Sequence, residues 1–108
     1  MKGYRRSDRG KIDVVGRQEA ARELAIAALG FIASDTEELS RFLALTGIDP
    51  GAIRIAAKEP GFLAGVLAYI SGNERTLLAF AAHASVAPDE IEKAKLVLAG
   101  TPRERDVP

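Results

Sequence analysis

Apolar residues recur along this chain at helical spacing, and no segment alternates apolar and polar residues as a half-buried strand would. From about Arg17 to Ala33, the rows Ala21–Ala25–Leu29 and Leu24–Ala28–Ile32 step three and four residues at a time, the period of one helix face. A second helix is predicted after Ser34, where Ser34 and Glu37 have the spacing of a capping box. Leu39, Phe42 and Leu43 form its apolar stripe, and Gly47 offers a left-handed stop. Asp49 and Pro50 read as N-cap and first residue of a third helix. Ile48 is placed to staple onto Ile53, and the helix is expected to end near Glu59, ahead of Pro60. A fourth helix is predicted from Pro60 to about Ser71. A fifth follows Asn73, with Leu77, Leu78, Phe80 and Ala81, and a sixth runs from Pro88 to a stop at Gly100.

The expected fold is all-α: a compact single domain of about six short helices over residues 18–100. Residues 1–17 read as a flexible basic arm and 101–108 as a flexible tail.

Shifted by 38 residues, the chain matches itself. Segments 24–53 and 62–91 share seven identities without a gap, among them Leu29/Leu67, Ile32/Ile70, Phe42/Phe80, Pro50/Pro88 and Ile53/Ile91. Leucine spacing is common to all helical hairpins, but a matched cap, staple and Pro-x-x-Ile are turn chemistry, which periodicity alone does not produce. We read a duplicated three-helix unit, its two copies packed face to face. Helix 4 is apolar nearly all round. Its small residues Gly61, Gly65 and Ala68 form a row that a neighbouring helix could approach closely, most simply within the chain.

Composition narrows the chemistry. The chain has 108 residues and no cysteine, which excludes disulfides and thiolate catalysis. No apolar run follows the N-terminus, and the weakly polar stretch 20–33 is shorter than the ~20 residues a membrane helix needs. A cytoplasmic protein without membrane contact is therefore expected. The zero net charge hides an asymmetry: residues 1–17 carry six basic and two acidic side chains (+4), and residues 18–100 carry seven basic and eleven acidic ones (−4).

Three stretches carry a resemblance: Arg41 to Arg54 (Arg-Phe-Leu-Ala-Leu-Thr-Gly-Ile-Asp-Pro-Gly-Ala-Ile-Arg), Glu59 to Leu67, and Leu78 to Ala82. Phe42, Thr46-Gly47, Pro50, Arg54, Pro60, Phe62-Leu63, Val66-Leu67, Phe80 and Pro88 match the pattern of domain of unknown function family 3572. This family comprises small helical proteins of alphaproteobacteria, and the resemblance covers about residues 18–100. It implies a helical fold and a bacterial cytosol, and it brings no activity.

No residue set points to catalysis. His83 is the only histidine, and Ser85 beside it lacks a third group to orient a nucleophile–base pair. One histidine without cysteine makes a poor metal set, no phosphate loop occurs, and Glu37–Glu38 and Glu90–Glu92 are explained by helix starts. No cofactor is expected. The leading reading is a non-enzymatic helical module that binds another protein or itself, with Phe62, Tyr69 and Phe80 as anchors. The alternative is a nucleic-acid-associated protein. There, helix 2, Gly47 and helix 3 would act as a helix-turn-helix-like corner, with Arg54 and Lys58 in support of Arg5, Arg6, Arg9 and Lys11 in the arm.

Overall fold

A computed structural model describes residues 2–106, with side chains described over 16–100. The described residues form six α-helices and no strand. In chain order these are α1 (Lys2–Ala33), α2 (Thr36–Thr46), α3 (Ile53–Ala56), α4 (Pro60–Ser71), α5 (Glu74–Ala84) and α6 (Pro88–Asp106), with a 3₁₀ turn at Pro50–Ala52 ahead of α3. The fold is all-α, as the periodicity predicts. The side chains of the basic arm, Arg5, Arg6, Arg9 and Lys11 included, and of the 101–108 tail lie outside the described residues.

Local chemistry explains the boundaries. Asp35 caps α2, its carboxylate accepting from the backbone N–H of Glu37 at 3.0 Å and of Glu38 at 3.3 Å. The predicted cap, Ser34, instead closes α1 by donating its hydroxyl to the Phe31 carbonyl at 2.7 Å. Gly47 ends α2 at φ 70°, with its N–H on the Leu43 carbonyl, a left-handed conformation that glycine reaches without steric cost. Asn73 caps α5 through Thr76 N, and α4 starts on Pro60 as expected.

Three boundaries differ from the sequence expectation. The third helix shrinks to the 3₁₀ turn and the four residues of α3, because Gly51 weakens its start and Pro60 forces Glu59 to be extended. α1 begins at Lys2, not near Arg17, since no proline interrupts residues 2–33. α6 passes Gly100, because a glycine that keeps helical angles weakens a helix by only ~1 kcal/mol.

The 38-residue repeat persists in three dimensions. The N-caps Asp35 and Asn73 occupy equivalent positions with nearly equal backbone angles. The left-handed residue after α5 is Ser85 at φ 59°, the counterpart of Gly47. Phe42 and Phe80 are both fully buried, as are Ile32 and Ile70. The aromatic contacts are reciprocal: Phe31 of the first unit meets Phe80 of the second at 5.4 Å, and Tyr69 of the second meets Phe42 of the first at 5.3 Å. Exchanging the units converts one pair into the other, as a two-fold arrangement of like units requires. The core lies between α1 and α4, with α6 packed along both, and every buried side chain among the described residues is apolar.

Candidate interaction surface

The best-defined polar cluster joins α2 to α4. The Tyr69 hydroxyl donates to Glu38 Oε1 at 2.7 Å. The other carboxylate oxygen of Glu38 accepts from Arg41 Nη1 at 3.2 Å. The rings of Phe42 and Phe62 are 6.1 Å apart and near edge-on, so α2 lies against α4 on that side. Helical spacing explains the arrangement: Phe42 and Leu39 turn toward the core, Glu38, one turn before Phe42, reaches Tyr69 at its edge, and Arg41 and Leu45 are exposed.

Tyr69 is held as a neutral phenol. Burial raises its pKa above the ordinary 10.0, and the hydrogen bond to the Glu38 carboxylate raises it further. The folded phenol therefore ionises later than the unfolded one. Its contribution is therefore complete below about pH 10 and is lost as pH rises through the raised value. Absorbance titration at the phenolate band should show one tyrosine ionising later in the folded protein than in denaturant. Tyr69→Phe should abolish that late step and lower stability by about 1 kcal/mol, the net worth of one such hydrogen bond. An unchanged late step in the variant would show that Tyr69 is not its source.

Beside this cluster is a cleft of about 290 Å³ lined by Arg41, Leu45, Ala68, Tyr69 and Gly72 among others. Leu45 stands 71% exposed at it. Along α4 the row Gly61–Gly65–Ala68–Gly72 is exposed, and nothing lies within 4 Å of where a Cβ would stand at Gly61 or Gly65. The expectation that a neighbouring helix of this chain covers this row is thus corrected. Phe62, Tyr69 and Leu63 point to the other sides of α4, where α2 and the core take them up.

A second cleft, about 590 Å³, is the counterpart of the first. Phe31 replaces Tyr69, Ser34 replaces Gly72, Asp35 replaces Asn73, and Glu38 and Thr76 line both clefts. Its rim is acidic, with Asp35, Glu37 and Glu38 against Arg75. A third, about 420 Å³, runs between α1 and α6 over Ala20, Ala21, Leu24, Val86, Ala94 and Val97.

The anticipated anchors separate. Phe62 and Tyr69 are half-buried, Tyr69 at the first cleft and Phe62 against Phe42. Phe80 is 0% exposed and packs on Phe31, so it offers a partner no surface. The reciprocal packing of the units buries it. Arg54 and Lys58 are exposed, but α3 is one turn long and cannot lie along a major groove as a reading helix does. The His83 ring packs 5.2 Å from Phe31. Among the described residues no group of three histidines or carboxylates could hold a metal ion. Leu45 was missed as a site residue, although it is an apolar residue out of phase with the stripe Leu39–Phe42–Leu43 and on the polar side of α2.

Among the described residues no helix is long and apolar enough to cross a membrane. The model of a family described as "Protein of unknown function (DUF3572)" matches residues 18–101. Neither a curated protein nor a solved structure matches the chain.

Proposed function

The chain belongs to the DUF3572 family, and on that premise, which brings no activity with it, we propose that it is a non-enzymatic helical module of the bacterial cytoplasm that binds another polypeptide. The observation that carries this reading is the face shared by α2 and α4. Leu45 is 71% exposed there and lines a cleft with Ala68 and Gly72, the C-terminal part of the bare Gly61–Gly65–Ala68–Gly72 row. Removing a leucine of that exposure from water favours association, and small residues admit the backbone of an incoming helix at short range. Phe62 and Tyr69 frame the face and hold its shape.

The test is a pull-down from the native bacterial lysate with the full chain, run with and without nuclease and read by mass spectrometry. A defined protein should survive nuclease treatment and be depleted at least about tenfold by Leu45→Glu. A second copy as partner would appear instead as a concentration-dependent dimer in light scattering, also lost in Leu45→Glu. Retention of the same protein by the variant would overturn the assignment of this face. Partners that vanish with nuclease would favour the alternative, nucleic-acid association. Its weight would then fall on Arg5, Arg6, Arg9 and Lys11, with Arg54 and Lys58, and binding would weaken steeply with salt.

A further inference from the structure

The two units are unequally complete. In the second, the third helix α6 packs along α4 and also lies beside α1 on the side of Ala20, Ala21 and Leu24, away from Ile26. In the first, its counterpart is the Pro50–Ala52 turn with α3, which ends at Ala56 and has no comparable packing on α1. The cause is connectivity. The first unit must hand the chain to α4 at Pro60, whereas the corresponding position of the second unit is Leu98, inside α6.

The difference can be followed position by position. Ala64 on α4 is 8% exposed, while its counterpart on α1, Ile26, is 49% exposed. Leu67 is fully buried, and its counterpart Leu29 is half-buried. Ile91 and Ala94, which α6 turns inward, are buried, and their counterparts Ile53 and Ala56 are half-buried. One face of α1 therefore lacks the helix that covers the same face of its twin.

We propose that this α1 face, centred on Ile26, seats an amphipathic helix of a partner polypeptide, held there as α6 is held on α4. The second unit shows what chemistry fits. α6 turns Ile91, Ala94 and Leu98 inward, an aliphatic and small-residue row at i, i+3 and i+7, and leaves Lys93 exposed. Charge specifies the flanks. Glu19 and Glu23 are exposed on α1 in line with Ile26, with Arg22 half-buried between them. The occupant accordingly carries lysine or arginine beside its apolar row, opposite the two carboxylates. This seat is on α1 and its test does not depend on the α2–α4 face: a lysate partner lost in Leu45→Glu but kept in Ile26→Glu would belong to that other surface.

The experiment uses the isotope-labelled full chain and two synthetic peptides. One has the sequence of residues 88–100, and the other is the same peptide with its three acidic residues replaced by lysine. Both should shift the backbone resonances of residues 19–33 in a saturable way, the basic peptide binding several-fold more tightly at low salt. Ile26→Glu should weaken binding about tenfold or more, and Ile26→Ala should weaken it less. Leu78→Glu, at a 51% exposed leucine of α5, should leave it unchanged. Circular dichroism checks that each variant stays folded. If Ile26→Glu unfolds, Ile26→Ala alone decides. Three results would overturn the proposal: no shift with either peptide, shifts centred on α4 from displacement of the resident α6, or equal binding by the Ile26 variants.

Discussion

Phe42→Ala should lower the stability of this domain by about 3–5 kcal/mol, a large share of the ~5–15 kcal/mol typical of a whole domain. Phe42 is 0% exposed and among the largest buried side chains. Truncation would remove its burial and leave a cavity that α2 and α4 cannot close without shifting, because the rings of Phe62 and Tyr69 stand around it at 6.1 Å and 5.3 Å. Each of these edge-on pairs adds roughly 0.5–1.5 kcal/mol beyond area. Phe80→Ala in the twin position should cost the same order but somewhat less, since Phe80 has one ring partner, Phe31, tilted against it at 5.4 Å. Urea unfolding of the three proteins would measure both values. A loss under ~1.5 kcal/mol for Phe42→Ala would mean that the α2–α4 contact is not part of the cooperative core.

How far this architecture was legible follows from which forces are local. Caps and stops are local, so Gly47, Asn73 and the Pro60 start stood out in the sequence and recur in the fold. Ser34 and Asp35 are adjacent and both good caps, and the choice between them depends on which is better placed once α1 has closed. Ser34 reaches back to Phe31, which leaves Asp35 for α2. The shortness of α3 comes from two weak local signals acting together, Gly51 and the residue before Pro60.

Burial is not local. Phe80 and Tyr69 have the same apolar helical surroundings in the sequence, yet one is sealed and the other half-open. Which face of α5 meets α1 is decided by the packing of the two units. The exposed row on α4 is another case of this. Periodicity places Gly61, Gly65 and Ala68 on one face but does not say whether a helix lies over them; the counterpart row on α1, Glu23, Ala27 and Gly30, is exposed as well. The repeat gave the most accurate foresight, because it ties distant positions to one another: Asp35 to Asn73, Phe31 to Tyr69, Phe42 to Phe80.

That same pairing makes a volume exchange between the units the sharpest test of the core. Ala28 of α1 and Val66 of α4 are counterparts and both 0% exposed. So are Ala25 and Leu63, which places small residues on α1 where α4 has larger ones. Ala28→Val should therefore destabilise by about 1–3 kcal/mol through overpacking, although valine is an ordinary buried residue. Val66→Ala should cost about 1–3 kcal/mol through a cavity. If the two sites meet across the centre of the two-fold arrangement, the double variant keeps the summed volume. It should then recover at least about 0.5 kcal/mol relative to the sum of the single losses, the threshold for residues in contact. Strict additivity in a double-mutant cycle would place the two positions in separate parts of the core, and the reciprocal packing would then be confined to the aromatic pairs. A recovery would extend it through the centre of the domain, where α1 and α4 meet and where α6 also rests.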